Sequence, residues 1–192
     1  LLNLAVSSED PKLNSYPLVW YYLGYWNRLA GVNRELAEKH RANAGGYQKS
    51  SYDNEPASGI NKTADEYFQT AADCFSKASS LPMDYCFPYG SESEKVLRDA
   101  IREFPDEANG YYYLGNLYCD FQPERALELW KKAIERNDRN AIFYRNAAFV
   151  EANKLDIPDS AIVHLKKAIE LNPDDPLYFE HIRIDDELRS SI

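Results

Sequence analysis

Residues 110–118 read G-Y-Y-Y-L-G-N-L-Y, and a related run, V-W-Y-Y-L-G-Y-W, occupies residues 19–26. A catalytic loop and a packing element used more than once would both produce such a recurrence, and the surrounding spacing decides between them. Ala100, Ala133 and Ala168, in A-I-R-E, A-I-E-R and A-I-E-L, lie 33 and 35 residues apart, while Tyr111, Tyr144 and Tyr178 lie 33 and 34 apart. Ala126 matches Ala161 and Trp130 matches Leu165 in the same phase, and Pro105 matches Pro173 two units on. A fixed period of about 34 residues is the signature of a repeat architecture, in which each unit buries its apolar face only against its neighbours.

Each unit reads as two amphipathic helices. Tyr111, Leu114, Gly115 and Tyr118 fall at i, i+3, i+4 and i+7, one face of a helix, and Ala126, Leu127, Trp130, Ala133 and Ile134 repeat that rhythm after a turn at Gln122-Pro123. Small residues such as Gly115 and Ala126 belong where two helix backbones approach, and Tyr111 and Trp130 fill the space beside them. The predicted fold class is all-α, an antiparallel helix-hairpin solenoid with an irregular middle. YYLG is then a knob-and-gap packing element.

Along the chain this gives a hairpin over 1–44, with Trp20, Leu23 and Gly24 on a first helix and Ala37 and Ala44 on a second. Residues 45–63, rich in Gly, Ser, Asn and Pro, read as an extended loop. Residues 64–105 read as an irregular helical pair with Phe68, Ala71, Ala72, Phe75 and Ala78 inward, broken at Pro82, Pro88 and Gly90. A repeat follows over 106–140, a degenerate one over 141–174, and a terminal capping helix over 175–192, where Leu177, Tyr178, Ile182 and Leu188 are apolar. If that last face is open, weak self-association is expected.

The order Tyr111, Leu114, Gly115, Tyr118, Ala126, Trp130, Ala133 resembles the tetratricopeptide repeat, with Asp138 where proline is usual. The next copy has Ala147 and Ala148 for Leu-Gly and Glu151 for the following Tyr, and Ala161, Leu165, Ala168 and Pro173 restore the pattern. The resemblance implies a right-handed superhelix. It also implies a concave groove lined by the first helix of each unit, here Asn109, Tyr112, Asn116, Arg145 and Phe149, suited to a protein or peptide partner or to another domain of the same polypeptide. It does not extend to the carboxylate clamp that grips chaperone tails, since only Asn116 and Asn146 fit that pattern.

A narrower likeness covers roughly residues 64–187. The order Leu81-Pro82, Phe87-Pro88, Pro105-Asp106, Tyr112-Tyr113-Leu114-Gly115-Asn116, Trp130, Tyr144-Arg145-Asn146 is similar to the repeat region of large bacterial proteins of unknown function. In that family the repeats follow β-sandwich parts related to galactose mutarotases, and Tyr144 stands where Trp is more usual. The likeness implies an accessory helical domain of a carbohydrate-processing protein whose catalytic part lies elsewhere. The first residues, L-L-N-L-A-V-S-S-E-D, lack an initiator Met and a basic flank, and read as the start of a fragment without a signal peptide.

Composition narrows the chemistry. With 22 Lys and Arg against 31 Asp and Glu the net charge is −9, and no basic stripe tracks a phosphate backbone, so nucleic acid is not an expected partner. No apolar run approaches the roughly 20 residues of a membrane-spanning helix. Cys74, Cys86 and Cys119 form no C-x-x-C and are odd in number, which points to a reducing compartment, with the cytoplasm favoured. His40, His164 and His181 show no ligand spacing, and His164 reads as a solvated surface residue; neither a metal nor a cofactor is expected. Asp174-Asp175 and Asp185-Asp186-Glu187 read as turn and helix-start acids, and the cysteines as small buried residues. The expectation is a binding module with no catalysis of its own. Circular dichroism should therefore report a mostly helical protein, and Trp130→Ala should cost about 3–5 kcal/mol in chemical denaturation; strong β signal or a neutral substitution would rule out a hairpin array.

Overall fold

The computed structural model describes residues 14–43, 62–83 and 86–174, apart from the side chain of Arg41. These residues form seven α-helices: α1 Pro17–Asn43, α2 Ala64–Ser80, α3 Gly90–Glu103, α4 Ala108–Tyr118, α5 Pro123–Arg136, α6 Ala141–Asn153 and α7 Pro158–Leu171. No strand occurs among the described residues, so the all-α class holds. The chain divides into two compact units after Pro82, the first holding α1 and α2 and the second α3 to α7.

In the first unit, α1 runs unbroken for 27 residues from a proline in its first turn. Residues 20–24 and Ala37 thus lie on one helix, which corrects their assignment to two. The glycine between them, Gly31, does not end the helix. A Cβ there would fall 2.7 Å from Phe68, and one at Gly24 would fall 2.6 Å from Phe75, so each glycine is the floor of a notch filled by a ring of α2. The two notches and the two rings are each seven residues apart and pair in opposite order, which fixes α1 and α2 as antiparallel neighbours. The start of α2 is set by Thr63, whose hydroxyl accepts from Glu66 N at 3.2 Å while the Glu66 carboxylate accepts from Thr63 N at 2.7 Å.

The expected pairing of the helices within 64–105 is also corrected, because α2 packs on α1 while α3 belongs to the second unit. Its cause is legible in the side chains: Phe68 and Phe75 fit glycines, and the glycines of matching spacing are on α1. Ala44, most of the 45–63 loop and the 175–192 helix lie outside the described residues.

In the second unit successive helices pack in order, α3 on α4, α4 on α5, α5 on α6 and α6 on α7. The α4–α5 contact repeats the notch of the first unit. A Cβ at Gly115 would fall 2.7 Å from Trp130 Cδ1, and the indole, 1% exposed, donates from Nε1 to the Tyr112 carbonyl at 3.2 Å. Two arginines of α5 then cover the tyrosines at either end of α4. Arg136 lies 4.1 Å above the Tyr111 ring and donates to its hydroxyl at 3.1 Å, and Arg125 lies 4.4 Å above the Tyr118 ring. Tyr118 also donates to Glu94 Oε1 at 2.7 Å and accepts from Arg98 at 2.6 Å, joining α4 to α3.

One buried triplet recurs on four helices: Ala71-Phe75-Ala78 on α2, Ser93-Leu97-Ala100 on α3, Ala126-Trp130-Ala133 on α5 and Ala161-Leu165-Ala168 on α7. Small, large, small at i, i+4 and i+7 presents a single knob between two close-approach points on one helix face. Replacing Gly24 by Ala should lower stability by about 1–3 kcal/mol through overpacking against Phe75, and Phe75→Leu in the same chain should recover part of the loss. A double-mutant cycle by urea denaturation checks this, and additive losses would mean that the two residues are not coupled.

Candidate functional site

The five residues expected to line a groove come from α4 and α6, and the structure treats them unequally. Glu107 caps α4 by accepting from Asn109 N at 2.9 Å and Gly110 N at 3.2 Å, and Asn140 caps α6 by accepting from Ile142 N at 3.1 Å. These caps fix the starts of the helices and so the faces that carry the row. Tyr112 is 7% exposed, its ring 5.3 Å from Phe143 on α6 and 5.1 Å from Tyr113. Asn109 is 9% exposed. Phe149 is half-buried and packs against the apolar cluster of Tyr144, Ala148, Ile162 and Leu165 between α6 and α7. Tyr112 and Phe149, two of the expected groove residues, are thus used in packing.

Asn116 and Arg145 are half-buried, and Asn146 links them. Its amide donates from Nδ2 to Asn116 Oδ1 at 3.1 Å, crossing from α6 to α4, and its Oδ1 accepts from Arg145 Nη2 at 3.4 Å. The result is a short polar line, Asn116–Asn146–Arg145, across the first helices of two successive pairs. It carries amide donors and acceptors and one cation, with no carboxylate in these contacts. Such a line can hydrogen-bond a peptide backbone or meet a carboxylate; it has no nucleophile and no acid–base pair.

A second group was missed because its members read as unremarkable one by one. Glu151, at the position where α4 has Tyr118, is 0% exposed. Its Oε1 accepts from Ser160 Oγ at 2.8 Å, its Oε2 is 2.6 Å from His164 Nδ1, and Lys131 Nζ lies 3.7 Å from Oε1. His164 is not a solvated surface residue, since only 17% of its side chain is exposed and its ring faces the carboxylate. The signal was a glutamate at a core position of the helical pattern, followed on the next helix by Ser and His four residues apart. Burial pushes the Glu151 carboxyl up, but the hydrogen bonds from His164 and Ser160, with Lys131 close by, outweigh it and hold the group below the ordinary value of 4.5.

Other candidates carry little chemistry. Cys74 and Cys86 are buried and Cys119 half-buried, and burial pushes the thiols of Cys74 and Cys119 up, which makes them poor nucleophiles. His40 is exposed, and Asp174 is exposed. Asp175, His181 and 185–187 lie outside the described residues. Among the described residues no three His, Cys, Asp or Glu side chains gather as metal ligands, and no helix is long and apolar enough to cross a membrane. No family model matches the chain, and no curated protein or solved structure matches it.

Removing the Tyr112 side chain should cost stability, by about 3 kcal/mol as for other buried aromatic truncations, whereas Asn116→Ala should cost about 1 kcal/mol, the worth of one half-exposed hydrogen bond. Thermal melts of the two variants check the ranking, and equal melting temperatures would contradict the packed position of Tyr112.

Proposed function

We propose that this chain is a non-catalytic interaction scaffold of tetratricopeptide type, whose first helices α4 and α6 present a binding face to a protein or peptide, or to another domain of the same polypeptide. The observation that carries the reading is the Asn116–Asn146–Arg145 line. It is polar, half-buried and continuous across two helix pairs, on a face whose apolar members are already taken up by packing. Packed helices offer that line on rigid elements, which lowers the ordering cost of recognition. The same residues suit an extended segment better than a small molecule, because donors and acceptors are strung along a helix face rather than gathered in a cavity.

The test uses the chain as bait, followed by titration of the captured partner against variants. Arg145→Ala and Asn116→Ala should each weaken the complex by about tenfold or more while both variants stay folded at the temperature of the titration. Lys166→Ala, exposed on α7, serves as the control. Lys131 and His164 cannot serve as controls, because both contact a carboxylate of α6. Wild-type affinity in both row variants, together with loss in the Lys166 variant, would overturn the assignment of the face.

A further inference from the structure

The two helix pairs of the second unit are closed by different means. In α4–α5 an aromatic ring sits in a glycine notch, and the tyrosine hydroxyl of Tyr118 makes its polar contacts at a partly exposed site. In α6–α7 the corresponding small positions are Ala147 and Ala148, the knob is Leu165, and the residue matching Tyr118 is the fully buried Glu151. That carboxylate takes both of its side-chain hydrogen bonds from α7, one on each oxygen, and the Glu151 carbonyl accepts a third bond from Ile157 N at 2.8 Å. The last is reached because Asp156 adopts a left-handed conformation, φ 56°, which turns the chain back over the end of α6.

We propose that Glu151 is an acid-operated latch between α6 and α7, which opens this pair on protonation while the α4–α5 pair stays closed. An ionised carboxylate is acceptor-only, and it matches the two donors that face it, Ser160 Oγ–H and His164 Nδ1–H. A proton on either oxygen removes the charge that both donors face, so the two charge-assisted bonds fall to ordinary strength or one of them turns round. The Lys131 ammonium of α5 loses its counter-charge in the same step. The groups facing Glu151 are Lys131 from α5 and His164 from α7; on the α4 side Asp120 is paired with Lys154 at 3.2 Å, and on α6 itself the Tyr144 ring lies 6.1 Å from His164. The carboxylate among these, Asp120, is taken up by Lys154. Lys131 is half exposed and keeps its water, so the loss falls on the two bonds that Glu151 makes to α7.

The sign follows from the depressed carboxyl. Stability from this group is fully present above the ordinary value of 4.5 and is lost as pH falls through the lower folded value. Because α6 also carries Arg145 and Asn146, opening would withdraw two of the three residues of the polar line, a consequence that rests on the binding role proposed for it. The latch itself stands whether or not that line binds anything.

Amide hydrogen exchange, corrected for intrinsic rates, tests it on the whole chain from about pH 6 to about pH 3.5. Protection in α6–α7 should fall about tenfold or more while α4–α5 keeps its own, and in Glu151→Gln the α6–α7 protection should be low and independent of pH. Parallel loss in both pairs, or an acid-dependent loss retained in Glu151→Gln, overturns the latch. If Glu151→Gln does not fold, Ser160→Ala keeps the carboxylate and removes one donor, so the loss should begin at higher pH than in wild type; an unmoved midpoint is equally fatal to the proposal.

Discussion

The fold depends on one kind of contact, an aromatic ring lying on the bare backbone of a glycine in the neighbouring helix. Phe75 occupies the notch at Gly24, Phe68 that at Gly31 and Trp130 that at Gly115, each at a distance that leaves no room for a Cβ. Close packing makes this contact both attractive and selective, because dispersion rewards a filled notch and overlap excludes every other residue. The rest is arranged around it. With α4 held close to α5 by Trp130, the two guanidinium groups of Arg125 and Arg136 reach the faces of Tyr118 and Tyr111. With Tyr118 held, Glu94 and Arg98 of α3 find a partner at its hydroxyl.

Where the glycine is missing, the chain uses charge. The α6–α7 pair has alanines at the notch positions, a leucine knob and a glutamate in the core. Its carboxylate adds directed hydrogen bonds to the apolar packing of Tyr144, Ala148, Ile162 and Leu165 between the two helices. Ionic groups in a core contribute little net stability while making the alternatives to the correct arrangement expensive. The second unit therefore contains one pair closed by a ring in a glycine notch and one in which a buried carboxylate supplements apolar packing, built on the same helical spacing.

Much of this was legible in the sequence. The 34-residue period placed α4, α5, α6 and α7, since helix starts at Pro123 and Pro158 and core positions at Trp130 and Leu165 follow from local pattern alone. The pairing of α1 with α2 was not legible from proximity, because the partners Gly24 and Phe75 are separated by the long stretch after α1. A signal did exist: Ala71-Phe75-Ala78 carries the spacing of Ala126-Trp130-Ala133, and Gly24 follows Leu23 as Gly115 follows Leu114. The candidate face was read less well. Periodicity tells which side of α4 carries Tyr112, but not that Phe143 of α6 arrives to cover it. Glu151 and His164 likewise became partners only once α6 and α7 were brought side by side.

The matched spacing of notches and rings on α1 and α2 bears on how such a chain tolerates change. Two glycines one heptad apart, met by two phenylalanines one heptad apart, form a lock with a single register: sliding either helix by one turn would drive a ring into a side chain. The alignment information is carried by the helices and not by their tether. The connector is thus released from the task of positioning what it connects. It can lengthen, shorten or acquire a sequence of its own in evolution without shifting the pair.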